Sequence, residues 1–213
     1  MILTKEEILQ AVQIDKTIII EPFLPELVSI NSVDIRLGSN LWKLKQDQEI
    51  RDLYCPDDDL WIEQSPVTTK SIRERNPNFA KDILDDEDLC FIFEGNCFYL
   101  ATTLECIGTA KQKPCRRPVV AEMKAKSTIG RQGLTVALCA GMGDIGYQGR
   151  WALEVRVTDN GSVPIAIGTP IAQAVFHETT RTKQFYDGKS RYQDGKKVRF
   201  LPKPLKFKTE WKS

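Results

Sequence analysis

The chain has 213 residues, 41% of them hydrophobic, and 30 Lys and Arg against 29 Asp and Glu, a formal net charge of +1. A chain of this size and apolar content can bury roughly 70% of its unfolded surface in one ample core, which excludes a disordered protein. No apolar run approaches the ~18–20 residues of a membrane span, and Glu6 and Glu7 stand where a secretory signal carries bases; the near-zero charge argues against a nucleic-acid surface, so a soluble cytoplasmic protein is expected.

From the N-terminus, Thr4-Lys5-Glu6-Glu7 has the form of a capping box, and Ile8, Leu9 and Val12 follow at helical spacing, which predicts a short helix. Beyond it the helical period gives way to short β-rich runs at 17–20, 32–38, 89–93, 97–108, 118–123, 134–139, 150–157, 163–167 and 171–179. Gly, Asn, Asp and Pro separate them at intervals of about ten residues, the rhythm of a sandwich, barrel or jelly roll. Asp159-Asn160-Gly161 lies between two such runs and predicts a tight hairpin, because Asn-Gly readily takes positive φ angles. The overlapping sequon Asn160-Gly161-Ser162 is read as turn chemistry in a cytoplasmic chain.

Residues 44–88 break the rhythm with Asp57-Asp58-Asp59, Asp85-Asp86-Glu87-Asp88 and the polar stretch 73–78. They read as a solvated acidic insertion with a little helix, inside a single domain spanning 1–195 that is followed by a basic tail over 196–213. Residues 47–94 carry 14 acids against 5 bases and residues 181–213 carry 11 bases against 3 acids, so the overall neutrality is a cancellation. Six cysteines (Cys55, Cys90, Cys97, Cys106, Cys115 and Cys139) have no CxxC spacing and read as reduced, mostly buried thiols.

Three familiar chemistries fail on the residues. Gly141-Met142-Gly143-Asp144-Ile145-Gly146 matches G-x-G-x-x-G, yet it leads into a strand and not into a helix whose N-terminus would hold a pyrophosphate. A zinc deaminase needs H-x-E and P-C-x-x-C, but the one histidine, His177, precedes Glu178-Thr179, and Pro114-Cys115-Arg116-Arg117 lacks the second thiol. A Ser-His-Asp hydrolase would also have to recruit His177, which sits in an apolar strand as a packed or edge residue.

What remains is a constellation on the β core. Lys126-Ser127-Thr128-Ile129-Gly130-Arg131 packs two cations, two hydroxyls and a glycine into six residues, suited to gripping phosphate oxygens. Asp144 follows among glycines, and Glu154 lies in a strand whose alternation puts Ala152, Glu154 and Arg156 on one face and Leu153, Val155 and Val157 on the other.

The segments SVDIRLG (32–38), AKSTIGRQGL (125–134), AGMGDIGYQGRWALEV (140–155), GTPIAQAVF (168–176) and YDGKSRYQDG (186–195) resemble, in order and spacing, the successive motifs of the dCTP deaminase branch of the dUTPase-like superfamily. The resemblance spans most of residues 1–40 and 95–195. It implies a mainly β fold, a distorted β-barrel or jelly roll with a short N-terminal helix. It also implies a homotrimer with sites at subunit interfaces closed by the C-terminal segment. The catalytic acid/base glutamate falls on Glu154, and the Ser and Arg of the phosphate-side motif fall on Ser127 and Arg131. Nucleotide contacts are implied for Lys126, Thr128, Ile129, Gly130, Asp144 (deoxyribose), Ala152, Leu153, Gln173 and the triphosphate clamp Tyr186, Lys189 and Gln193. No residue is implied as a metal ligand: Mg²⁺ is expected with the nucleotide, through phosphate oxygens and water. Three departures stand out: Lys126 replaces the usual Arg, Thr128 the usual second Ser, and both the insertion and the lysine-rich ending are atypical.

The resemblance implies a zinc-independent deaminase that turns dCTP into dUTP and ammonia, on the way to thymidylate, with dCTP, dUTP and dTTP as the nucleotides it meets. Deamination without zinc needs a base to take a proton from water and an acid to protonate the ring and the departing amine, which one carboxylate can do in turn. Glu154 is expected to be that shuttle, with Ser127 and Arg131 orienting water near carbon-4 of the ring. The alternatives are a bifunctional enzyme that carries on to dUMP and pyrophosphate, a plain dUTPase, and a nucleotide-sensing or protein-binding module on the same fold.

Overall fold

The fold begins with α1 (Lys5–Gln13), where the Thr4 amide donates to Glu7 Oε2 at 2.8 Å, one arm of the expected capping box, and Ile8, Ala11 and Val12 turn inward. The computed structural model describes residues 1–46, 60–110, 117–137, 141–186, 193–194 and 197–198. Among these, no helix is long and apolar enough to cross a membrane.

Antiparallel strands make up most of the rest. In chain order they are β1 (Ile18–Glu21), β2 (Val33–Leu44), β3 (Trp61–Glu63), β4 (Val67–Thr68), β5 (Leu89–Phe93), β6 (Phe98–Thr109) and β7 (Val119–Ala125). There follow β8 (Leu134–Val136), β9 (Met142–Gly143), β10 (Gln148–Val157), β11 (Val163–Ala166), β12 (Pro170–Glu178), β13 (Gln193–Asp194) and β14 (Lys197–Val198). A nine-stranded sheet runs β8-β10-β6-β2-β12-β7-β9, with β1 added on β6 and β3 on β2; it curls into a half-barrel. A smaller sheet, β11-β5-β4, stands beside it. The barrel expectation holds, and its cause is the period-two pattern: in β10, Gly149, Trp151, Leu153, Val155 and Val157 are buried while their neighbours are not. One apolar cluster gathers Ile8 from α1, Ile35 and Leu41 from β2, Phe91 and Phe93 from β5, Tyr99 from β6 and Phe176 from β12. The Tyr99 hydroxyl oxygen accepts the Glu94 amide at 2.7 Å, and burial pushes its pKa well above the usual phenol range.

The hairpin expected at Asp159-Asn160-Gly161 does not form. Its flanking strands go to different sheets, β10 to β6 and β8 and β11 to β5, so the turn carries the chain from one sheet to the other. Neither Asn160 nor Gly161 takes the expected positive φ; the bend is held by side chains, with Asp159 Oδ1 accepting the Gly161 amide at 2.8 Å and Asn96 Nδ2 donating to Asn160 Oδ1 at 2.5 Å. Partner choice is decided by which apolar face each strand must cover. The run 134–139 also ends early, because Ala137 takes φ 55° and breaks the strand after Val136.

Within the acidic excursion, β3 pairs β2, β4 pairs β5, and a short helix α2 (Thr69–Arg73) ends in a side chain that organises the following loop. Arg73 donates to the carbonyls of Phe79, Ala80 and Leu84 at 2.7–3.0 Å and pairs with Asp86 at 2.5 Å. Residues 47–59, including Cys55, lie outside the described residues, as do Cys115 and Cys139. Cys90 and Cys97 are buried and Cys106 is half-buried, all three as free thiols.

Candidate functional site

The loop expected on the phosphate side, residues 126–131, is made where β7 ends. The Lys126 amide donates to the Ile171 carbonyl at 3.4 Å, and its own carbonyl accepts from Ile129 and Gly130 at 3.0 and 3.1 Å, closing the single turn α3 (Ser127–Gly130). Ser127, Thr128, Gly130 and Arg131 are left exposed, while Ile129 packs on the core and anchors the turn. Gly133, at φ 82°, lets the chain reverse into β8. Its carbonyl accepts both the amide and the hydroxyl of Thr158, at 2.9 and 3.0 Å.

β8 ties this loop to the strand that carries Glu154. Val136 pairs with Val155 and Leu134 with Val157, and the Ala137 amide donates to the Glu154 carbonyl at 3.0 Å. Ala152 and Glu154 sit half-buried on the outward face of β10, as alternation requires. Leu153 points the other way into the core, 1% exposed, so it offers a nucleotide only its backbone. Across the sheet, Glu154 is in register with Leu100 of β6, which is in register with Trp42 of β2 and, through it, Glu63 of β3.

The glycine-rich run has a structural cause and no helix behind it. A Cβ on Gly143 would stand 2.6 Å from the Trp151 ring, and Gly146 takes φ 89° to turn the chain toward β10. Asp144 is exposed in this turn, its carbonyl accepting the Tyr147 amide at 2.9 Å. Three aromatic rings lock it: Tyr147 meets Trp151 edge-on at 5.7 Å and Tyr186 at 5.4 Å. The Tyr186 amide donates to the Ile145 carbonyl at 2.8 Å, so the first residue of the expected clamp is docked on the Asp144 turn. The Tyr186 hydroxyl is buried without a hydrogen-bond partner among the described residues. Burial, with Tyr186 beside it, pushes the Tyr147 phenol up to about 12. Lys189 lies outside the described residues; Gln193 lies on β13, paired with Val198 of β14.

A third group forms across β2, β12 and β7. Gln173 is in register with Asp34 on one side and Lys124 on the other, and Lys126 Nζ is ion-paired with Asp34 Oδ2. Further along the same face, Glu122 pairs with Lys124 and lies 3.0 Å from His177 Nε2. The hydrogen bond from Lys124 holds the Glu122 carboxyl below its usual range, against a small desolvation, with His177 adding to the effect. His177 is a half-buried outer-face residue of β12 that meets Glu122, where a packed or edge residue was expected. Sequence reasoning passed over Asp34, although a single carboxylate inside the alternating run 32–38 was a visible signal. It also passed over the buried pair behind it, Glu105 with Arg36, where Nε and the backbone amide of Arg36 donate to the carboxylate at 2.6 and 2.9 Å.

The family model described as dCTP deaminase-like matches residues 2–179. The protein named "dCTP deaminase, dUMP-forming" from Methanoregula boonei is 31% identical over 171 residues, which is 80% of this chain and 79% of that one. Its namesake from Leptospira biflexa is 28% identical over 209 residues, covering 98% of this chain and all of that one. The crystal structure of 2'-deoxycytidine 5'-triphosphate deaminase from Agrobacterium tumefaciens aligns with a TM-score of 0.53 at 19% identity, over 84% of this chain and 48% of that chain, a likeness of fold.

Proposed function

Because this chain belongs to the dCTP deaminase-like family, we propose that it deaminates dCTP hydrolytically and carries the product on to dUMP and pyrophosphate. The observation that carries the deaminase half is Glu154, a half-buried carboxylate on the outward face of β10, joined through β8 to the exposed hydroxyl and cation of Ser127 and Arg131. Glu154 takes a proton from water as the oxygen adds to carbon-4 and passes it to ring nitrogen N3; the carboxylate then carries the new hydroxyl's proton to the amine, and the carbon–nitrogen bond breaks to release ammonia and leave the uracil carbonyl. Ser127 and Arg131 orient the water and stabilise the charge that develops. Lys126 and the tail residues Tyr186, Lys189 and Gln193 hold the triphosphate; Asp144 meets the deoxyribose, and Gln173 the nucleotide edge. Thr128, Ile129, Gly130, Ala152 and the Leu153 backbone complete the walls. Mg²⁺ would come with the nucleotide and neutralise its phosphate charge, and no side chain of this chain is assigned as its ligand.

The dUMP-forming half departs from the expectation of dUTP as the released product. It is supported by the shared name of the curated relatives, matched over most of their length, and by the exposed Asp144 carboxylate in the turn that Tyr147 wedges. A homotrimer, expected to run at three times the chain mass in sedimentation, and a cytoplasmic setting belong to the same proposal.

Incubation with dCTP and Mg²⁺ followed by separation of products tests both halves. dUMP supports the full reading, dUTP limits it to deamination, and intact dCTP with cleaved dUTP would leave a dUTPase. Glu154→Gln should lose about 10²–10⁴-fold in deamination while still binding nucleotide; normal turnover in that variant removes Glu154 from the mechanism.

A further inference from the structure

We propose that Asp34 is a positioning residue for the triphosphate, acting through Lys126; the proposal rests on the nucleotide reading above. Lys126 leaves the end of β7, and its side chain crosses β12, above the Lys124–Gln173–Asp34 row, to pair with a carboxylate on β2. The two side chains are 27% and 17% exposed, so this is a largely covered pair and not a solvated surface contact. The covering matters because Lys126 stands where the resemblance leads one to expect Arg. An arginine brings a planar, pre-organised fork to a phosphate, whereas a lysine brings a point charge on a stem of four rotatable bonds. Asp34 restores the lost order by fixing the ammonium before the nucleotide arrives. An ammonium has three donors, and one spent on Asp34 leaves two for phosphate oxygens.

Asp34 also brings a negative charge toward a polyanion. The ammonium it holds screens that repulsion, whereas an unheld lysine meets the nucleotide with its full rotamer freedom still to lose. Loss of order therefore outweighs relief of charge, and removing Asp34 weakens binding.

The test uses the full chain. In the Glu154→Gln background, Asp34→Asn should raise the dCTP Kd about 5- to 10-fold, the scale of one rotamer-rich side chain immobilised on binding. Inorganic tripolyphosphate, which has only the phosphate end, should lose competition by the same factor. With Glu154 intact, Asp34→Asn should raise KM with kcat within about twofold, and Asp34→Glu should recover part of the loss. Adding Lys126→Met should make Asp34→Asn silent. Unchanged or tighter dCTP binding in Asp34→Asn, or an undiminished effect in the Lys126→Met background, overturns the proposal; a matching thermal midpoint excludes misfolding as the cause. If the wild type leaves dCTP intact, the deaminase reading falls, while the tripolyphosphate affinity of Asp34→Asn still decides the role of Asp34.

Discussion

The two segments that converge on β10 are held by different forces. The loop at 126–131 is one exposed helical turn, fixed from below by Ile129 and from the side by the Lys126–Asp34 pair. The turn at 144–147 has no ion pair among the described residues; it is wedged by Tyr147, Trp151 and Tyr186 and needs glycine at 143 for the ring to fit. Charge helps to hold the segment proposed to meet phosphate, and it can be retuned by salt or by exchange of partners. Packing holds the segment that must keep a fixed shape, and it yields only when the core yields.

The sharpest way to break this contrast is Trp151→Ala. The indole is buried, donates Nε1–H to the Ile107 carbonyl at 3.3 Å and supports Tyr147, so its removal should destabilise the fold by about 3–5 kcal/mol in urea denaturation. A loss below about 1 kcal/mol would show that the aromatic wedge is not what holds the turn. Next in size, Tyr186→Ala should raise the KM for dCTP about tenfold, since its ring packs on Tyr147 and sets the first residue of the proposed clamp against the turn; an unchanged KM would separate Tyr186 from the nucleotide. The smallest effect belongs to the charged face. Glu122 is held below the usual carboxyl value of 4.5, so its contribution is present above that pH and is lost as the pH falls through the lower folded value. Acid unfolding of Glu122→Gln should accordingly begin from a slightly less stable protein near neutrality and lose less below about pH 4.5 than the wild type does.

Much of the barrel was legible because β-sheet faces write themselves as alternation. Leu153 and Glu154 were assigned to opposite faces from spacing alone, and the structure keeps them there. The hairpin at Asp159 fails for a physical reason: neither Asn160 nor Gly161 takes the positive φ that a tight hairpin needs, and pairing is a long-range choice in which β11 meets a partner about seventy residues earlier in β5. The site was legible where a motif lists its residues in a row, as at 126–131, and illegible where residues meet only through register. Asp34 and Gln173 are far apart in the chain and adjacent on the sheet, and nothing in a linear pattern states that β2 and β12 are neighbours. The Tyr147–Tyr186 contact was hidden in the same way.

The strand contributed by the acidic excursion changes how the molecule meets other sheets. Past Arg36, β2 has left β12, and its residues Trp42, Lys43 and Leu44 would otherwise present an open ladder edge lined with apolar side chains. β3 closes that edge with only three residues and ends on the exposed Glu63, a rim that offers a foreign strand little ladder to join. At a formal net charge of only +1, one covered edge leaves one fewer open ladder for another strand to join.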